Sequence, residues 1–307
     1  MMKRLLTSSR SFSLILSSTI AIALSGWGSV ALAGDPFQRI PEKPIGDATE
    51  EAFEAMFKDG DYRQAERLIN TALREDGDEP LAHALRAGLA YNQGEWEVML
   101  DRGTKTKEAA ERLMARDPVR GNLYKGVGLM LEGAYDVLQN KNYLGAVPKL
   151  QAIFQAFDAA KAADANDPEL NLAKGYMELL LAINLPFSSP DTAIENFRRT
   201  AKPDYLVDRG LALAYRDLKQ FQKALDHVNR ARSQTADNPE IIYLKAQILH
   251  ELGKVDGNHQ PDLVREAIQL FDDALDEIDQ FPNPEANKVQ LEREKRIANE
   301  WLEEKGY

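Results

Sequence analysis

The sequence predicts an all-α protein in which helix-turn-helix hairpins stack as an α-solenoid with irregular, thickened central repeats. Three observations carry that prediction. First, DGDYRQA (Asp59–Ala65) and NQGEWEV (Asn92–Val98) set Gly60 against Gly94 and Tyr62 against Trp96, each pair 34 residues apart. A fixed period of this length marks a two-helix repeat unit. Second, proline recurs behind an acid or amide at Glu79-Pro80, Asp117-Pro118, Asp167-Pro168-Glu169, Asn238-Pro239-Glu240 and Asn283-Pro284-Glu285. Such a residue caps a new helix, Pro suits its first position, and an acid there meets the positive end of the helix dipole. Third, a small-then-large pattern recurs as Ala65/Ile69, Ala146/Leu150, Ala193/Phe197, Ala224/Val228 and Ala267/Phe271. Positions i and i+4 share one helical face, so the small residue admits a neighbouring helix and the large one fills the gap behind it.

The elements follow in chain order. Residues 1–33 hold Lys3, Arg4 and Arg10, no acid, an apolar run from Phe12 to Leu24, and Ala31-Leu32-Ala33 before Gly34. That is the layout of a secretory signal peptide with an A-x-A site at Ala31 and Ala33. The run is shorter than the roughly 20 residues of a membrane span, and a plastid transit peptide usually lacks a compact apolar core. Cleavage takes the net charge from −11 to −14, because the leader carries three positive charges. Residues 34–49, with three prolines and little periodicity, read as an extended lead-in, ordered only where Phe37 or Ile40 finds a groove.

Residues 50–284 form the repeat domain. Its middle departs from the period, since Pro118 and Pro168 stand 50 residues apart. There Leu123–Leu138 and Leu170–Leu185 are apolar on several faces, as in helices buried on all sides, so the solenoid is expected to be closed or thickened at its centre. Beyond Gly253, an inserted loop at Val255–Pro261 displaces the next helix. Residues 285–307 read as a charged capping helix with Val289, Ile297 and Trp301 as sparse contacts.

The stretch Asp208–Ala231 resembles a tetratricopeptide repeat. Leu211, Ala212 and Tyr215 occupy its first helix, and Phe221, Ala224, Val228 and Ala231 its second. Asp208 stands at the usual Trp position and Lys219 at the turn glycine. Ala246 and Gly253 belong to the first helix of the next unit, and Ala267 to its second. The resemblance covers roughly Glu50 to Asp279, strongest at 50–98 and 204–279, and the layout is similar to secreted tetratricopeptide proteins of cyanobacteria. It implies a concave groove that binds a protein or peptide, with Asp208, Arg209 and Arg216 on its expected side. The apolar central helices also resemble accessory solute-binding subunits of tripartite transporters, although those usually carry a lipid-modified Cys.

Composition removes several chemistries. The chain of 307 residues has no Cys, which excludes disulfides, thiol catalysis and Cys-ligated zinc. A net charge of −11 argues against a general nucleic-acid binder. His83, His227, His250 and His259 show no metal-binding spacing, and no nucleophile elbow or P-loop occurs. Gly126-Val127-Gly128 sits in an apolar helical pattern, so it reads as a close helix contact rather than a phosphate loop. The acids Asp272, Asp273, Asp276, Glu277 and Asp279 lack the spacing of a calcium loop. NLPFSSPD (Asn184–Asp191) is a long connection of the kind that often carries function. The expectation is an exported, non-catalytic scaffold without cofactor or metal. It is expected to stand in a periplasm or thylakoid lumen, to insert stably in no membrane after cleavage, and to bind protein or peptide rather than nucleic acid.

Overall fold

The protein is described from a computed structural model, which covers residues 34–184, 189–235, 237–255 and 257–307. The leader with Ala31 and Ala33, and most of the 184–191 connection, lie outside the described residues.

Helix α1 spans Asp47–Phe53 and runs on as a π-turn over Glu54–Asp59. Then follow α2 (Tyr62–Glu75), α3 (Pro80–Gln93), α4 (Trp96–Leu113), α5 (Pro118–Leu138), α6 (Tyr143–Ala163) and α7 (Pro168–Asn184). The remainder are α8 (Asp191–Arg199), α9 (Asp204–Asp217), α10 (Phe221–Gln234), α11 (Pro239–Gly253), α12 (Pro261–Asp276) and α13 (Pro284–Lys305). No strand occurs among the described residues. The architecture is an all-α solenoid of helix hairpins.

The punctuation residues start helices. Asp61, Glu79, Asp117, Asn142, Asn238 and Asn283 each accept a hydrogen bond from a backbone N–H in the first turn of the following helix, and each such cap contributes about 1 kcal/mol. Pro80, Pro118, Pro239 and Pro284 take the first helical position. Between the helices of a hairpin, the chain turns through a left-handed residue. Gly60 and Gly94 adopt nearly the same angles (φ 74°, ψ 14° and φ 75°, ψ 17°). Lys141 and Lys219 adopt φ 54° and 57° at the corresponding turns. Two residues later each turn carries an aromatic: Tyr62, Trp96, Tyr143 and Phe221.

The odd-numbered helices α3, α7, α9 and α11 form an inner layer and the even-numbered ones an outer layer. In α3 every residue from Pro80 to Tyr91 except Arg86 is buried. Outer helix α2 buries only Tyr62, Ala65, Ile69 and Ala72, and α10 only Ala224, Val228 and Ala231. Those buried stripes hold the small–large pairs at 65/69, 193/197, 224/228 and 267/271. Close approach is visible at Phe197: a Cβ on Gly175 or Gly210 would sit 2.5 or 2.3 Å from its ring. The same holds for Gly126, 2.8 Å from the ring of Phe157, and for Gly128, 2.8 Å from the backbone of α4. Leu211, Ala212, Tyr215, Ala246, Gly253 and Ala267 are all buried in these contacts.

The stack closes on itself. Asn238 at the start of α11 donates from Nδ2 to the carbonyls of Phe57 (3.1 Å) and Lys58 (3.2 Å), 180 residues earlier. The Tyr62 hydroxyl donates to Glu240 at 3.1 Å. Gly60 packs here so closely that a Cβ would lie 2.7 Å from Asn238 Oδ1. Asn283 reaches the carbonyl of Asn92 at 3.4 Å.

Three expectations are adjusted. The lead-in carries no helix before Asp47 and is ordered where Phe37, fully buried, finds its groove, but helix begins three residues early and Ile40 is 99% exposed. The order comes from Arg39, whose guanidinium pairs with Asp35 (2.7 Å), Asp167 (2.9 Å) and Glu169 and pins the arm across the start of α7. The apolar central helices are not covered throughout. In α5, burial holds from Val119 to Leu131, but residues 132–138 are only half-buried and meet α4 and α6 partly through polar side chains, Tyr135 with Glu97 and Asp136 with Lys149. The capping helix α13 packs through Leu291, Ala298 and Leu302, with Trp301 against the same cluster as expected, while Val289 is exposed.

Candidate functional site

The three residues expected along a groove are each engaged by neighbouring side chains. Arg209 is buried in the inner layer, where it pairs with Glu240 at 2.9 Å. Asp208 is also buried and turns outward to His227 (2.7 Å) and Arg230 (3.0 Å) of α10. Arg216 donates to Gln247 at 2.8 Å and pairs with Asp217. Arg209 and Asp208 are buried and Arg216 is half-buried, each engaged with a neighbouring side chain, so these three residues do not share an open surface.

The histidines are dispersed. His83 contacts the Gly77 carbonyl, and burial pushes its pKa down. His250 is buried and pushed down to about 4 by the same cause. His259 packs edge-on against Trp301. Among the described residues no group of three or more His, Asp or Glu is placed to hold a metal ion. Of the acids between 272 and 279, Asp272 of α12 pairs with Lys295, and Asp279 of the following 3-10 turn lies 3.6 Å from Arg63.

Two charged features do assemble. The first is a buried cluster beneath the N-terminal arm. Arg39 and Arg120 converge on Glu169, which also accepts from the Tyr124 hydroxyl, and Arg120 pairs with Glu79 at 2.8 Å. Burial pushes the Glu169 carboxyl up to about 7, against the pull of the two guanidiniums. The cluster is closed to solvent and fastens the arm to α3, α5 and α7.

The second feature is open. Where the first hairpin meets α11, a cleft of about 420 Å³ is lined by Lys58, Asp59, Asp61, Gln64, Gln234, Thr235, Asp237, Asn238 and Gln280. Local sequence builds each wall. The π-turn and left-handed Gly60 present Lys58 and Asp59, and Asp61 caps α2 beneath Gln64. On the far side α10 ends at Gln234, and Asn238 caps α11 while bonding the first hairpin. The 3-10 turn Ile278–Gln280 closes the rim. Burial pushes the Asp59 carboxyl upward. Three carboxylates against one ammonium leave the cleft acidic, and three Gln carboxamides offer both donors and acceptors.

Sequence reasoning read Gly60 and Asn238 as a turn and a helix cap but did not pair them, because contacts between distant repeats leave no periodic trace. No helix among the described residues is long and apolar enough to cross a membrane. Comparison with known proteins returns no matching family model, no similar curated protein and no similar solved structure.

Proposed function

We propose that the chain is a non-catalytic scaffold of the tetratricopeptide kind that holds a short, basic peptide segment of a partner protein in the seam cleft. The observation that carries this reading is the cleft itself, with Asp59, Asp61 and Asp237 beside the carboxamides of Gln64, Gln234 and Gln280. A carboxamide can pair with a peptide group through both its N–H and its C=O. The carboxylates favour Lys or Arg side chains, with an attraction that salt screens. The shared left-handed turns at Gly60 and Gly94 support the repeat kinship. Export, with action in a periplasm or thylakoid lumen, belongs to the same proposal and is motivated by the leader-like residues Met1–Ala33.

The solute-binding alternative drew on the apolar helices now seen as α5 and α7. Their inward residues Tyr124, Leu131, Tyr176 and Leu179 are buried in helix contacts, so packing accounts for that apolar character. The test is fluorescence anisotropy with a labelled lysine-rich peptide and an aspartate-rich control. The lysine peptide is expected to bind, and Asp59→Asn with Asp237→Asn to weaken it about tenfold. Equal binding of both peptides, or no effect of the double substitution, refutes the reading.

A further inference from the structure

Outer helix α6 leaves an apolar face uncovered. It has 21 residues, whereas α8, the next outer helix along the stack, has 9. Their C-terminal ends are level, since Thr200 donates to the Asn166 carbonyl at 2.7 Å and accepts from Asn171 at 2.9 Å. The twelve residues Tyr143 to Phe154 therefore overhang, over about 18 Å of helix. On them Tyr143 is 60%, Leu144 87%, Val147 56% and Phe154 38% exposed. Tyr143, Val147, Leu150 and Phe154 follow the 4-3-4 spacing of one helical stripe.

We propose that this overhang is a self-association surface, on which α6 of one molecule pairs antiparallel with α6 of a second copy. Two features point to a second copy rather than another occupant. The stripe is palindromic: the pairs 143/154, 147/150 and 142/155 share one midpoint, between Pro148 and Lys149. A two-fold axis there sets aromatic Tyr143 against aromatic Phe154, aliphatic Val147 against aliphatic Leu150, and the amides of Asn142 and Gln155 against each other. An isologous interface demands this reciprocity. Charge supplies the second feature. No acid occurs between Asp136 and Asp158, in a chain with 49 of them. The surroundings are the amides Gln139, Asn140, Asn142, Gln151 and Gln155, with two lysines at the edge: Lys149 is held by Asp136 of its own chain at 2.6 Å, and Lys141 donates to the Leu138 carbonyl. An acidic protein meets its own copy with least repulsion through such an acid-free patch, whereas a basic partner is drawn to an acidic rim.

The test is sedimentation velocity of the purified protein over a range of concentrations. An interface of this modest size is expected to give a reversible monomer–dimer equilibrium with Kd of about 1–100 µM. Val147→Glu places a charge opposite Leu150 of the second copy and is expected to weaken the dimer at least about 30-fold. Because Val147 is largely exposed, the variant keeps the wild-type melting temperature when both are measured well below the dimer Kd. Pro148→Cys gives this cysteine-free chain one thiol beside the axis, so a short bismaleimide should join two copies, while Val289→Cys on α13 should not. A wild type that stays monomeric at about 0.5 mM overturns the proposal. So does a Val147→Glu protein that dimerises as well as wild type. Binding of the monomer to phospholipid vesicles through the same residues also overturns it, in favour of a lipid surface.

Discussion

Gly60 and Gly94 provide a matched pair for testing whether the ring is closed. Both are left-handed turn residues with φ of 74° and 75°, so replacing either with Ala incurs the same backbone penalty of about 1–2 kcal/mol. Their surroundings differ. A Cβ on Gly94 meets nothing within 4 Å, whereas one on Gly60 lies 2.7 Å from Asn238 Oδ1 and 2.8 Å from Pro239 Cδ. Asn238 cannot step aside freely, because its carboxamide bonds the Phe57 and Lys58 carbonyls and caps α11. Overpacking of this kind adds about 1–3 kcal/mol. Urea unfolding should therefore show Gly94→Ala destabilised by about 1–2 kcal/mol and Gly60→Ala by about 2–5 kcal/mol. Equal losses in the two variants would falsify the closure, since an open stack gives the two turns the same environment.

Arg39→Ala leaves the buried carboxylates of Asp167 and Glu169 short of a partner, and a loss of about 3–5 kcal/mol is expected. Release of the arm should also make Phe37, buried in the wild type, a new chymotrypsin site under native conditions. A second prediction concerns pH. Glu169 is raised from 4.5 to about 7 by burial, so its contribution to stability is complete below about pH 4.5 and is lost as pH rises through about 7. His250 is lowered from 6.5 to about 4 by burial, so its contribution is present above about pH 6.5 and is lost as pH falls through about 4. The two slopes oppose each other between those limits. Glu169→Gln should make stability rise with pH from 5.0 to 6.5, and His250→Leu should make it fall; parallel profiles in both variants would count against these assignments. At the Phe197 crossing, Phe197→Ala is expected to lose about 3–5 kcal/mol. Gly210→Ala, whose Cβ would lie 2.3 Å from that ring, should cost clearly less in the Phe197→Ala background than in wild type. Strict additivity in that double-mutant cycle removes the contact from the argument.

What the sequence made legible was whatever repeats locally. Helix starts at Pro80, Pro118, Pro239 and Pro284, the turns at Gly60 and Gly94, and the buried Ala/large pairs of the outer helices all follow from residues within a few positions of one another. The left-handed turn at Lys219 was visible only by alignment with the glycines. The seam was not legible, because the Asn238–Phe57 and Tyr62–Glu240 bonds join residues some 180 positions apart. For the same reason Arg39 read as part of a loose lead-in, although its partners Asp167 and Glu169 lie in a proline-marked helix start. The placement of Asp208, Arg209 and Arg216 was not legible either, because α3 and α11, buried on nearly every face, mark an inner layer whose polar residues pair with neighbouring helices that the sequence does not name.

An open solenoid can lengthen or shorten during evolution, because duplicating or deleting a unit merely shifts the end of the rod. Here such an event would break the seam. With Asn238 bonded to the backbone of Phe57 and Lys58, one unit more or fewer in between would carry the two partners a full repeat out of reach.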